Sequence, residues 1–118
     1  MNWGDKVVNK KIKDTLKQLE IPTYYMRCGK QSDKYILFNI YNEKDTDRFD
    51  NKNLSETYYI ALNYWYKEPH DLKLYKEIKK VLKQDGFKFD GSRDLQDGDY
   101  FGKNLDFIYK EFISADVQ

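Results

Sequence analysis

The chain holds one cysteine, two prolines and six glycines in 118 residues, and its basic and acidic side chains nearly cancel. Each scarcity excludes something. A lone Cys28 rules out an intrachain disulfide and a multi-cysteine zinc site, and a single free thiol suits a reducing, cytoplasmic setting. Twenty-one Lys and Arg against twenty Asp and Glu leave a net charge of +1, too little to draw the protein to nucleic acid or an anionic membrane. No apolar run approaches the roughly 18 residues that a transmembrane helix requires. The start Met1-Asn2-Trp3-Gly4 lacks the apolar stretch of a secretory signal. The expectation is a protein neither secreted by that route nor membrane-spanning. Phosphate-cradling loops are missing as well, because Gly86, Gly91, Gly98 and Gly102 complete neither G-x-x-x-x-G-K-[ST] nor G-x-G-x-x-G.

What the chain has in quantity is aromatic surface, 17% of residues, which no disordered segment carries. Its length suits a single domain, residues 1–118, with one modest core. From Asp5 to Glu20 the residues Val8, Ile12, Leu16 and Leu19 share a helical face, and Ile21-Pro22 ends that helix. Pro22 leads into a strand, Thr23 to Cys28. Tyr35 to Glu43 alternates, with Ile36, Phe38 and Ile40 on one face. Asn42 to Ser55 is crowded with Asp45, Asp47, Asp50, Asn51 and Asn53, a composition that predicts a long mobile loop with Phe49 stranded in it.

Thr57 to Lys67 alternates again, but both of its faces are apolar or aromatic. Tyr58, Ile60, Leu62, Tyr64 and Tyr66 lie on one side, and Tyr59, Ala61, Asn63 and Trp65 on the other. That pattern predicts an interior strand with something packed on each side. Pro69 ends it, Asp71 stands where an N-cap belongs, and Leu74, Tyr75, Ile78, Val81 and Leu82 predict a second helix closed by Gly86. A short strand Phe87 to Asp90, a turn-rich excursion Gly91 to Gly102 and a last strand Leu105 to Ile113 complete the reading. The predicted fold is α+β, ordered α-β-β-β-α-β-β, with a mainly antiparallel sheet of about five strands and both helices on one face.

Residues able to do chemistry are few and lack partners in the sequence. His70 beside Pro69 reads as a helix-start residue, and Cys28 as a small half-buried side chain at a strand end. The aspartate groups 45, 47, 50 and 90, 94, 97, 99 do not follow the D-x-[DN]-x-[DN]-G order of a calcium loop. They read as solvated turns. Tyr64-Trp65-Tyr66-Lys67 could stack single-stranded nucleic acid, but no basic excess tracks the phosphates. No catalytic residue, metal or cofactor is expected. Aromatic area beyond what two helices can cover points instead to self-association.

The opening helix running into Ile21-Pro22-Thr23-Tyr24-Tyr25, the strand Tyr35 to Glu43 and the aspartate-rich segment after it form a distributed pattern. Glu56 to Trp65, Asp71 to Phe87 and Phe107 to Phe112 extend it over nearly the whole chain. In this pattern the chain resembles the small tail-completion proteins of long-tailed bacteriophages and prophages, also called tail terminators or head-tail joining proteins. No diagnostic signature accompanies it. The resemblance implies a non-enzymatic virion subunit that assembles with itself into a ring, commonly hexameric. Such a ring caps the tail tube protein, ends tube growth and meets the head-tail connector protein, without membrane or specific nucleic acid. Under it, subunit or tail-tube contacts are expected at Asp45, Asp47, Arg48, Phe49, Trp65, Arg93, Asp94, Tyr100 and Phe101. The alternative is a small nucleic-acid-binding regulatory protein.

Overall fold

The computed structural model describes residues 7–27 and 32–113. Cys28, where the first predicted strand ends, and the predicted helix start at Asp5 lie outside the described residues. The first helix, α1, spans Val7–Leu16 and tightens into a 3-10 turn at Lys17–Leu19. Glu20 then turns the chain in a left-handed conformation, φ 57°, and Ile21 is buried ahead of an exposed Pro22. The strands are β1 (Thr23–Tyr25), β2 (Lys34–Phe49), β3 (Lys52–Tyr66), β4 (Lys88–Asp97) and β5 (Tyr100–Phe112), and α2 (Leu74–Gln84) falls between β3 and β4. Together they form an α+β domain whose five-stranded sheet runs β1-β2-β3-β5-β4.

All neighbours in that sheet are antiparallel except β1, which lies parallel to β2 with Tyr25 beside Phe38, so the sheet is mixed. Parallel neighbours ordinarily need a long crossover. A three-residue strand needs a return of only about 10 Å, which a short connection can span.

The core is built on the side of β3 that carries Tyr58, Ile60, Leu62, Tyr64 and Tyr66. Ile36 and Phe38 of β2 and Leu105 and Phe107 of β5 stand in the same layer, in one cluster with Val8, Ile12 and Leu16 of α1 and Ile78, Val81 and Leu82 of α2. Burying each such aliphatic side chain contributes about 1.5–3 kcal/mol. Tyr64 is fully buried and its hydroxyl donates to the Asp71 carbonyl at 2.9 Å, so the polar tip keeps a partner. Its phenol pKa is pushed far above the ordinary value, first by burial and then by the Asp71 carboxylate.

Three predicted features are corrected. Asn42 to Ser55 is not a loop: β2 and β3 continue as a hairpin as far as the Phe49–Lys52 pair, around a two-residue turn in which Asp50 and Asn51 both have positive φ, 53° and 63°. Those angles belong to the turn whose twist matches a hairpin, and Asn and Asp tolerate them. Gly91 to Gly102 is likewise no excursion, because β4 and β5 pair through it, with a bulge between Phe89 and Ser92. Asp71 does not cap α2. It lies in a 3-10 turn, Pro69–Lys73, and the residue preceding α2, Lys73, makes no side-chain capping bond. Gly86, by contrast, stands just past α2 with φ 95°, while the Phe87 N–H donates to the Leu82 carbonyl at 3.0 Å, as helix-closing glycines do.

Candidate interaction surface

The face of the sheet opposite the core layer is read in rows across the strands. Tyr35, Trp65, Gly102 and Leu95 form one row, and Leu37, Asn63, Asn104 and Arg93 the next. Asn39, Ala61 and Asp106 follow, then Asn42, Tyr59, Ile108 and Lys88. A bulge between Ile40 and Asn42 brings the Tyr41 ring to 6.2 Å from that of Tyr59. Leu37, Tyr59, Ala61, Asn63, Trp65 and Ile108 are half-buried, and Tyr41 is 53% exposed. The centre of this face is polar: the Asn104 amide donates to Asn63 Oδ1 at 2.8 Å. Aromatic groups lie on either side of it.

At one end the Tyr35 and Tyr100 rings meet edge-on at 5.5 Å, Lys67 Nζ stands 5.1 Å above the Tyr100 ring, and the Tyr100 hydroxyl donates to the Ser32 carbonyl. At the other, Lys44 Nζ lies 5.4 Å over Tyr59. The Tyr41 phenol pKa is raised by partial burial and then by the carboxylates of Asp106 and Asp90. The surface therefore combines large rings with polar tips and flanking charges.

Beyond the core, the distal halves of β2 and β3, flanked at their base by the end of β5, form an arm. Thr46, Ser55 and Thr57 make a hydroxyl ladder along it, with Oγ separations of 2.6 and 2.9 Å. Ser55 and Lys110 both donate to Asp47 Oδ2, at 2.8 and 2.7 Å, which keeps the Asp47 carboxyl below its ordinary pKa with Lys110 the larger cause. These bonds hold Asp47 in a left-handed conformation, φ 56°. On the other side of the arm Asp45, Glu56 and Glu111 stand in register across three strands. Next to them the Tyr58 phenol is pushed up to about 12, by burial and then by Glu56, Glu111 and Glu43. Phe49 near the arm's tip is 66% exposed and Phe112 71%.

The residues singled out in the sequence separate into two groups. Asp45, Asp47, Arg48 and Phe49 belong to the arm. Trp65, Arg93, Asp94, Tyr100 and Phe101 gather at the opposite end, where Phe101 stacks on Tyr66 at 5.8 Å and Asp94 accepts from Lys103 at 3.0 Å. The strand rise puts roughly 45 Å between Phe49 and Tyr35, the neighbour of Trp65. Absent from that selection were Leu37, Tyr41 and Ile108, which carry much of the open face; the alternation of Tyr35, Leu37, Asn39 and Tyr41 was the signal that marks the two on β2. His70 is on the surface, its Nε2 3.5 Å from Asp71 Oδ1. Among the described residues no three His, Cys, Asp or Glu side chains converge to hold a metal ion, and no helix is long and apolar enough to cross a membrane. No protein-family model and no curated protein matches the chain.

Proposed function

We propose that this chain is a non-enzymatic assembly subunit that binds copies of itself and a further protein through the open face of its sheet. Its specific form, suggested by the resemblance in sequence pattern, is a tail-completion protein of a long-tailed phage or prophage. It would be made in the host cytoplasm and carried in the virion, as a ring at the head-proximal end of the tail tube. There it ends tube growth and joins the tube to the head connector. The observation that carries the proposal is the half-buried row set Leu37, Tyr59, Ala61, Trp65 and Ile108 on the sheet face opposite the core. In this reading both helices lie over the core face, since their buried residues join one cluster with it, and the open face is left for a partner.

Sedimentation velocity, electron microscopy of the purified chain and co-sedimentation with tail tubes test the proposal. Ring particles and tube binding are expected, both weakened by Leu37→Lys. A strictly monomeric chain that binds neither tube nor connector overturns it. The second reading, a small nucleic-acid-binding protein, is favoured by the lysines along α2. Its test is a gel shift at low salt, and absence of a shift removes it.

A further inference from the structure

The outward side of α2 is a second uncovered surface, and it is cationic. Lys76, Lys79, Lys80 and Lys83 recur at helical spacing and, with Tyr75 and Gln84, line a groove of about 410 Å³. Glu77 is the single carboxylate within α2. Among the described residues none of the four lysines stands in an ion pair. Their aliphatic stems give the groove apolar walls beneath charged rims.

The arm carries the complementary chemistry. Asp45, Glu56 and Glu111 form a row of like charges directly opposite one another, an arrangement that costs stability unless a cation is brought to it. None of the three has an ion-pair partner among the described residues. Near the tip, Phe49 exposes an aromatic ring of the kind this chain repeatedly sets against lysine, as in Lys79 Nζ over Phe89 at 4.1 Å and Lys103 Nζ over Tyr75 at 4.7 Å. The described chain is 52 Å long and only 28 by 24 Å across, so the arm extends well past the core.

We infer that the lysine groove of α2 receives the β2–β3 arm of a second copy of this chain, with Asp45, Glu56 and Glu111 facing Lys76, Lys80 and Lys83, and Phe49 resting on the lysine stems. Charge complementarity between two surfaces of one chain selects this occupant. The contact joins two different patches, so it is heterologous and repeats head to tail, closing into a ring when the rotation allows. It rests on the self-assembly reading above and adds which surfaces meet.

Two full-length variants test it, Lys76→Glu/Lys80→Glu/Lys83→Glu and Asp45→Lys/Glu56→Lys/Glu111→Lys, followed by sedimentation velocity with thermal unfolding as a folding control. Each alone should need at least a tenfold higher concentration to assemble than wild type. An equimolar mixture should assemble within about threefold of the wild-type concentration, because oppositely charged arms and grooves then alternate. Should a reversal unfold the chain, Asp45→Asn/Glu56→Gln/Glu111→Gln replaces it; relief of repulsion should keep or raise its unfolding midpoint while assembly weakens. Wild-type assembly that both variants share unchanged overturns the inference and leaves the proposed function standing. A wild-type chain that stays monomeric overturns both. Loss of duplex DNA binding in the α2 variant, with assembly intact, assigns the groove to phosphates and also overturns the inference.

Discussion

The indole of Trp65 lies across Gly102 of the neighbouring strand so closely that a Cβ at position 102 would stand 2.6 Å from Trp65 Cζ3. The same Cβ would come to 3.1 Å from the Leu95 Cβ. Glycine leaves a gap in the strand that the aromatic ring of its cross-strand partner fills. Gly102→Ala is expected to displace the indole and cost about 1–3 kcal/mol, the usual range for overpacking. Chemical unfolding measures the loss, and emission of Trp65 in a Trp3→Phe background reports the displacement. An unchanged midpoint and spectrum would show that the ring has room to yield.

The hairpin tip makes a second prediction. Asp50 and Asn51 both occupy left-handed backbone, where a Cβ costs a non-Gly, non-Asn residue about 1–2 kcal/mol. The expected order of stability at position 51 is Gly at or above Asn, then Ala, with Val lowest. Urea unfolding of the four chains checks it, and equal stabilities would contradict the turn.

Acid should destabilise the junction of the two helices. Asp85 accepts from Thr15, and Lys11 Nζ lies 3.4 Å from its other oxygen, so its carboxyl is held below the ordinary range with Thr15 the larger cause. A depressed folded pKa gives stability that is present above the unfolded value, near 4, and is lost as pH falls through the folded value. Asp85→Asn is expected to flatten the fall in stability below about pH 4. At pH 7 it should cost about 1 kcal/mol, a charge-assisted bond discounted for partial exposure. Unfolding free energies measured from pH 2 to 7 decide between that and an unaltered profile.

At the alkaline end Tyr58 contributes beside the more deeply buried Tyr64: its phenol is pushed up to about 12 by burial and by Glu56, Glu111 and Glu43. The raised folded pKa means that its contribution is complete below the unfolded value, about 10, and is lost as pH rises from there through 12. Glu56→Gln and Glu111→Gln should each lower the Tyr58 value, followed by NMR of ring-labelled tyrosine. Tyr58→Phe should retain more stability at pH 11 than wild type, relative to pH 8. A Tyr58 titration that ignores both glutamates would separate burial from charge.

Much of the core could be read along the chain. The stripe Val8, Ile12 and Leu16 needs only the helical repeat, and the buried layer Ile60, Leu62 and Tyr64 only the alternation of a strand. Gly86 closes α2 for a local conformational reason. The arm resisted such reading because the positions it buries beyond the core, Ser55 and Thr57, are hydroxyl residues, so no apolar alternation marks it. Its continuity comes from the pairing of β2 with β3 and from bonds such as Lys110 to Asp47, 63 positions apart. The candidate surface was half legible: Trp65 and Tyr59 were visible as a second apolar face, but nothing local placed Leu95 or Ile108 beside them.

By itself, then, the sequence determined the two helices, the core stretches of the strands, the identity of the core face and the presence of aromatic surface in excess of what two helices cover, because each follows from local spacing. Tertiary structure alone decided that β1 runs parallel to β2, that an aspartate-rich segment stands as a hairpin, and that Asp45, Glu56 and Glu111 share one row while Trp65 and Phe49 lie at opposite ends of the sheet. Those are consequences of hydrogen-bond register between distant segments, which fixes which side chains meet but leaves no periodic trace in either strand.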